Sequence, residues 1–308
     1  MKLIRTLQKN KEFSIGSVAA IGNFDGVHRG HQMLLAALRE QATHLQLPMV
    51  VILFEPQPRE FFQKREAPPR LTRLREKVHV LRDCGVDYVY CLRFNEQLAH
   101  RSPVEFAEHV IFLNLNVKYL LVGDDFRFGR NRQGDVALLK QLAQKSGCVV
   151  DKCPDFLMEE ERVSSTQVRQ ALQLGEFERV TSLLGRLYST CGRVMYGDAR
   201  GRQWGVPTAN LKMTQAALPL KGVFCVRVQR EGYPLLSGVA NVGQRPTIDG
   251  TKQVLEVHLF DVNESLYGER LQVFFLHKLR DEVKFPSLDA LIAQIHLDLL
   301  SAKAYFLE

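Results

Sequence analysis

The sequence predicts an α/β doubly wound parallel sheet in its first part, followed by an antiparallel β architecture, barrel or sandwich, with a C-terminal helix. Three observations carry this. From Ser17 to Leu184, short apolar runs alternate with segments whose apolar residues recur at helical spacing. Beyond Gly185, β-rich runs at Tyr188–Tyr196, Val223–Gln229, Leu235–Val242, Val254–Phe260 and Leu271–Leu276 follow one another with no helical pattern between them. Leu288, Leu291, Ile292, Ile295 and Leu299 then form one stripe of a closing helix, a face suited to lie on the β half. At 308 residues the chain has room for two cores, divided here into residues 1–184 and 185–308.

The first half is organised around Gly22-Asn23-Phe24-Asp25-Gly26-Val27-His28-Arg29-Gly30-His31. Ser17 to Ile21 reads as the strand ahead of it, and Leu34, Leu38, Ala42 and Leu45 as the buried face of the helix behind it. At such a joint the first backbone N–H groups of the helix lack partners and the helix dipole is positive, so phosphate binds there readily. Gly26 and Gly30 let the backbone come close. His28 and His31 can present two imidazoles to one anion, donating hydrogen bonds and, if protonated, offsetting charge on a phosphorus in flight. The plainer alternative is a tight turn with ordinary surface histidines. No Gly-x-x-x-x-Gly-Lys-Ser/Thr and no Gly-x-Gly-x-x-Gly occurs in the chain.

Met49 to Phe54 is wholly apolar, as expected of a parallel strand covered on both faces. Glu55-Pro56-Gln57-Pro58 ends it at the carboxyl edge, where ligands sit in open α/β sheets. Phe61 and Phe62 either wall an aromatic ligand or pack in the core. Leu74, Val78 and Leu81 mark a helix, and Asp87–Leu92 a strand. Ser102-Pro103-Val104-Glu105 is a capping box opening a helix through Phe106, Val110 and Leu113. Val117–Val122 is the next strand. Asp135 caps a helix carrying Leu139, Leu142 and Ala143 that Gly147 ends, and Cys148–Asp151 makes a fifth strand.

Two further loops open on the same edge. Gly123-Asp124-Asp125-Phe126-Arg127-Phe128-Gly129-Arg130 mixes carboxylates, arginines and aromatics, a set able to read a ring while touching phosphate. Ser164-Ser165-Thr166-Gln167-Val168-Arg169 places hydroxyls at a helix start with an arginine one turn in. It is either a plain N-cap or an anion clamp with Arg169 bidentate to phosphate. A short helical segment, Glu176 to Leu184, completes this half.

The net charge of +7 suits a protein handling nucleotides as well as one touching RNA. The longest uninterrupted apolar run, Met49–Phe54, is too short to span a bilayer, and Lys2, Arg5, Lys9 and Lys11 break up the N-terminus, so no membrane association and no secretory signal are expected. Six cysteines without Cys-x-x-Cys spacing fit reduced thiols in a cytoplasmic protein.

In the second half, glycines at 192, 197, 201 and 205 lead into Pro207-Thr208-Ala209-Asn210. The Thr208 hydroxyl and Asn210 carbonyl are hard oxygen ligands of the kind Mg²⁺ accepts beside nucleotide phosphates. In Val254–Phe260, Leu255, Val257 and Leu259 point one way, Glu256 and His258 the other. Glu256 either faces water or, partly desolvated, takes a proton from a hydroxyl.

A His-x-Gly-His turn paired with Ser-Ser-Thr-x-x-Arg resembles the nucleotidylyltransferase superfamily. The fuller strings, with Phe54-Glu55-Pro56-Gln57-Pro58 and Gly123–Gly129, resemble its FMN adenylyltransferase branch. That resemblance implies ATP binding by Gly22, Asn23, Phe24, Asp25, His28, Gly30, His31, Ser164, Ser165, Thr166 and Arg169. It implies a flavin side built from Pro56, Pro58, Phe62, Asp125 and Phe128. Downstream, Gly192-Arg193-Val194, Gly205-x-Pro207-Thr208-Ala209-Asn210, the run Gly238 to Thr247, Leu255-Glu256-Val257-His258 and Leu266-Tyr267-Gly268 resemble riboflavin kinase. There the resemblance implies a β-barrel, a Mg-ATP site with Gly205, Pro207, Thr208 and Asn210, and Glu256 as catalytic base. The order of the halves is similar to that of the bacterial bifunctional riboflavin kinase/FAD synthetase family, whose substrates and products are riboflavin, FMN, FAD and ATP. Two other readings stay open. The first half could adenylylate or cytidylylate another phosphorylated acceptor with the barrel as a specificity module, or the positive charge could mark an RNA-binding surface, although no nucleic-acid partner is expected and the lysine-rich loop of class I aminoacyl-tRNA synthetases is missing.

Overall fold

The computed structural model describes residues 1–5, 11–158, 161–197, 201, 204–213, 217–247 and 250–307. Lys9 lies outside them. The chain forms two compact units, Met1–Pro68 with Leu74–Ser164, and Pro69–Arg73 with Ser165–Glu308.

The first unit is a six-stranded parallel sheet of β1 (Lys2–Ile4), β2 (Ser17–Ile21), β3 (Met49–Glu55), β4 (Tyr88–Arg93), β5 (Val117–Gly123) and β6 (Val149–Cys153), in the order β1-β4-β3-β2-β5-β6. Five of these strands follow from the sequence pattern. The sixth, β1, is a three-residue edge strand paired with β4. Strand order reverses at β2 and β5, so the turns that follow them open at the topological switch point, the crevice where such sheets bind ligands.

Alternation along the central strands feeds two cores. Ala19, Ile21, Val50, Ile52, Leu120 and Val122 pack on one face, and Val18, Ala20, Val51, Leu53 and Leu121 on the other. The second face is covered by α1 (Arg29–Leu45) through Leu34, Leu35, Leu38 and Ala42, and by Leu81 of α3 (Leu74–Asp83). Leu45, expected on the buried stripe of α1, is exposed as the last residue of the helix. Helix α2 (Pro58–Gln63) starts directly after β3, its Gln57 and Glu60 forming a capping box that the proline-rich string concealed. Helix α4 is the single turn Glu96–Ala99, capped by Asn95. The expected capping box opens α5 (Pro103–Phe106), which continues with π-helical hydrogen bonding over Ala107–Asn114. The wider turn brings Phe106, Val110, Ile111 and Leu115 to the sheet and leaves the expected Leu113 outside. Asp135 caps α6 (Val136–Lys145) by accepting from the Leu138 amide. A two-residue hairpin, β7 (Leu157–Met158) with β8 (Glu161–Arg162), was not foreseen.

The second unit opens with α7 (Ser165–Leu174) and α8 (Phe177–Leu184), the latter ended by Gly185 in the left-handed region at φ 71°. A closed six-stranded barrel follows: β9 (Ser189–Met195), β10 (Ala209–Leu211), β11 (Gly222–Arg230), β12 (Leu236–Thr247), β13 (Gly250–Leu259) and β14 (Arg270–Arg280), neighbours in the order β10-β13-β12-β11-β14-β9 with β9 returning to β10. Closure gives each strand a hydrogen-bonded neighbour on both sides. Phe224, Val226, Val228, Leu255, Val257, Leu271, Val273 and Phe275 are buried in alternation along their strands.

Helix α9 (Leu288–Leu307) docks on the barrel through its C-terminal half. Leu299, Ala302 and Phe306 cover Val223, Cys225 and Val239, and the Asp298 carboxylate accepts hydrogen bonds of 2.7–3.1 Å from the Arg280 guanidinium. The stripe expected to face the barrel does so only at its end: Leu288 is exposed and Leu291, Ile292 and Ile295 are half-buried. Apolar residues are spread around the whole helix, so spacing alone could not select the packed face. By length and composition it is also apolar enough to cross a membrane.

Candidate active sites

The first site is built on the turn between β2 and α1. Phe24 and Val27 hold left-handed backbone at φ 46° and 42°, and both side chains are buried, which anchors the turn on the core. Asp25 is buried with them. His28 occupies the N-cap position of α1 with extended backbone, and its side chain makes no capping hydrogen bond. Its ring stacks on His31 at 3.7 Å, and His31 packs on Phe24 at 4.9 Å. A Cβ at Gly30 would lie 3.3 Å from the His28 ring and 3.4 Å from the Val163 carbonyl oxygen, so glycine gives that ring its room. The segment leading into α7 thus passes beside the histidine turn.

Burial, His28, Lys77 and Arg162, in that order, hold His31 well below the usual imidazole range. A lowered pKa favours the neutral ring, which keeps one N–H to donate. Its Nδ1 is buried with no hydrogen-bonding partner among the described residues. Positive charge comes from elsewhere. Lys77 of α3, almost wholly buried, donates from Nζ to the Asn23 carbonyl at 2.6 Å. Sequence reasoning missed it, although its spacing with Leu74, Val78 and Leu81 already put a lysine on the core face.

At the same sheet edge, Phe62 is exposed and packs edge-on against Phe94, which packs on Phe54. Phe54 in turn touches Phe106, and Phe106 touches Phe128 at 5.9 Å. Two of the expected flavin-side rings therefore stand at the ends of one aromatic chain, Phe62 open and Phe128 buried. Phe128 is pinned, since a Cβ at Gly134 would lie 2.7 Å from its ring. Pro56 is exposed and Pro58 starts α2. Asp125 is exposed beside Arg162 at 3.4 Å.

In the second unit, Ser165 and the exposed Thr166 form the first turn of α7, directly after the half-buried Ser164. Arg169 donates from Nε to the Pro69 carbonyl at 2.6 Å and from Nη1 to the Ser165 carbonyl at 3.1 Å. These bonds fasten the start of α7.

On the barrel, Asn210 of β10 sits directly opposite Glu256 of β13, which sits directly opposite Asn241 of β12. Directly paired residues point to the same side of a sheet. Here it is the outer side, since Leu255 and Val257 fill the interior. The loop before β10 is fixed by His258, whose Nδ1 donates to the Pro207 carbonyl at 2.8 Å. Gly205, at φ 74°, turns the chain into Pro207 and Thr208. A Cβ at Gly197 would lie 2.4 Å from Asn210 Nδ2, and one at Gly201 2.3 Å from the Val206 carbonyl oxygen and 3.4 Å from Thr208 Oγ1. Two glycines therefore cradle the two expected oxygen ligands.

The sequence model of the FAD synthetase family matches residues 10–167, and that of the riboflavin kinase family matches residues 184–306. The bifunctional riboflavin kinase/FMN adenylyltransferase of Haemophilus influenzae is 44% identical over 306 residues, 99% of each chain. That of Escherichia coli K12 is 47% identical over 307 residues, 99% of this chain and 98% of the relative. This chain belongs to the bifunctional riboflavin kinase/FMN adenylyltransferase family. As a member of it, the enzyme combines a kinase that makes FMN with an adenylyltransferase that makes FAD. A crystal structure described as a macrolide-efflux protein of Streptococcus pneumoniae superposes with a TM-score of 0.81 at 31% identity, over 96% of this chain and 97% of that one.

Proposed function

We propose that the two reactions run at two separate nucleotide sites, adenylylation within residues 1–184 and riboflavin phosphorylation within residues 185–308. The observation that supports this is the sorting of the chemistry-bearing residues into two clusters, a stacked imidazole pair at the switch point of a parallel sheet and an Asn210–Glu256 rung on a barrel. At the barrel, Glu256 takes the proton of the terminal ribityl hydroxyl of riboflavin as that oxygen attacks the γ-phosphorus of ATP, the bond from that phosphorus to the bridging oxygen breaks, and ADP leaves. Magnesium arrives with ATP. The Thr208 hydroxyl, beside Gly201, and the Asn210 amide oxygen, beside Gly197, would hold it, in keeping with its preference for hard oxygen ligands.

At the sheet edge, the FMN phosphate attacks the α-phosphorus of a second ATP and pyrophosphate leaves. The N-terminus of α1, with Gly22, Asn23, Phe24, Asp25 and Gly30 shaping the turn, receives the phosphates. His28 and His31 donate to the transferring group. Ser164, Ser165 and Thr166 hold the remainder of the nucleotide, and Arg169 joins the two histidines in stabilising the charge on the transferring group and the departing pyrophosphate. Pro56, Pro58, Phe62, Asp125 and Phe128 border the flavin. Neither step needs a covalent enzyme intermediate, so positioning and fixed charge supply the rate. We place the enzyme in the cytoplasm, where the buried thiols of Cys148, Cys153 and Cys225 stay reduced.

Incubation with riboflavin, ATP and magnesium, followed by chromatography of the flavins, tests the assignment. His28→Ala stops FAD formation and leaves FMN formation; Glu256→Ala stops phosphorylation and leaves adenylylation of supplied FMN. Loss of both reactions from either change in a folded protein overturns the two-site reading.

A further inference from the structure

Helix α3 sends a lysine into the core. Leu74, Lys77, Val78 and Leu81 share a face by spacing, and Lys77 is 1% exposed. An ammonium removed from water is costly to bury unless fixed partners replace its hydration. A lysine stem is long enough to reach water from most helix positions, so burial of the charged end calls for a reason. Here the end of the side chain meets the Asn23 carbonyl at 2.6 Å. That carbonyl opens a turn in which two non-glycine residues, Phe24 and Val27, take left-handed backbone. Such a conformation persists only where the surroundings hold it.

We propose that Lys77 is a positioning residue for adenylyl transfer: its buried ammonium fixes the Asn23 carbonyl, and with it the turn that carries the two histidines, and it lends an immobile positive charge to the phosphate-binding end of α1. The charge is felt at the pair, since Lys77 is one of the three groups, with His28 and Arg162, whose charge opposes protonation of His31. A preorganised cation of this kind acts without rearranging during the reaction. The proposal rests on the assignment of adenylyl transfer to the histidine turn.

The full-length chain carries its own control, because riboflavin phosphorylation is assigned to other residues. Lys77→Met lowers kcat for FAD formation from supplied FMN by about 100-fold, while FMN formation from riboflavin stays within about twofold. Lys77→Arg, which keeps a charge and donors, recovers at least about tenfold of that loss. In protein with isotope-labelled histidine, NMR titration shows the His31 ring protonating at higher pH in Lys77→Met, because one of its opposing charges is gone. Amide exchange over β2 and α1 shows that the first unit stays folded; should Lys77→Met unfold it, Lys77→Gln is assayed in the same way. FAD formation within about threefold of wild type in Lys77→Met overturns the proposal. So does Lys77→Arg as inactive as Lys77→Met with His31 titrating unchanged, since packing rather than charge would then explain the loss. His31→Ala run alongside separates two failures. If FAD formation survives it, the site assignment falls and takes this proposal with it; if His31→Ala is inactive and Lys77→Met is active, only the role of Lys77 falls.

Discussion

Gly197→Ala is a small change aimed at one proposed metal ligand. The new methyl carbon would start 2.4 Å from Asn210 Nδ2 and 2.7 Å from its Cγ, where ordinary contact begins at 3.4 Å. The Asn210 amide must therefore retreat by about 1 Å. Because the obstacle is the end of a side chain, the adjustment costs folding only about 1 kcal/mol, the scale of an off-rotamer torsion. Catalysis is less forgiving. A misplacement of about 1 Å in a positioning group costs roughly 100-fold in rate, which is about 2.7 kcal/mol in the barrier. The assay is kcat for riboflavin phosphorylation with ATP and magnesium, with adenylylation of supplied FMN on the same preparation as the reference. If the kinase stays within about threefold of wild type while Asn210→Ala is inactive, the cradle does not position the ligand; if Asn210→Ala is itself active, the ligand assignment is wrong.

Three other outcomes are expected. Arg230, 2% exposed, donates to Glu269 from Nε and Nη2 at 3.0 Å and to Glu264 from Nη1 at 2.6 Å. Arg230→Met should cost about 2 kcal/mol of barrel stability, below the range for a fully buried pair because Glu264 is half-exposed; an unchanged urea midpoint would refute this. His31 titrates in the unfolded chain near 6.5 but well below that when folded, so the unfolded state binds more protons under pH 6.5. Its contribution to stability is full above pH 6.5 and is lost as pH falls, and His31→Asn should flatten the decline of the first unit's urea midpoint between pH 7.5 and 5.5. Burial pushes the Cys148 thiol up to about 12 and the Cys225 thiol up to about 11, so mass spectrometry should find both unalkylated after brief iodoacetamide treatment of the native protein at pH 8.

Long periodic segments and glycine-rich turns were legible from the residues because each states its structure locally. The β2 turn, α1 and α6 need only neighbours within one or two turns to declare themselves. Strands β1 and β10 did not, since three residues are too few to establish alternation and both are held by partners far along the chain. The π-helical run after Phe106 shifted the buried set away from Leu113, a change of period that a 3.6-residue template cannot anticipate. Within the sites, His28, His31, Thr208, Asn210 and Glu256 stood out by residue type and spacing. Lys77 did not, because a lysine among leucines reads as a stem lying on the surface until its Nζ is seen at a backbone carbonyl. Nor could Arg169 Nε be assigned to the carbonyl of Pro69, 100 residues away, before the fold brought the two together.

The shortness of β10 sets a demand on its alignment. Only Ala209, Asn210 and Leu211 align it with β13, and sliding it by a single position would turn Asn210 inward and expel an apolar neighbour to the solvent side. Ala209 and Leu211, both buried, act as stops on either side of the asparagine, so that two apolar residues decide whether a polar one meets its carboxylate. Mutational tolerance at these two unreactive positions should accordingly track phosphorylation as closely as it tracks thermal stability.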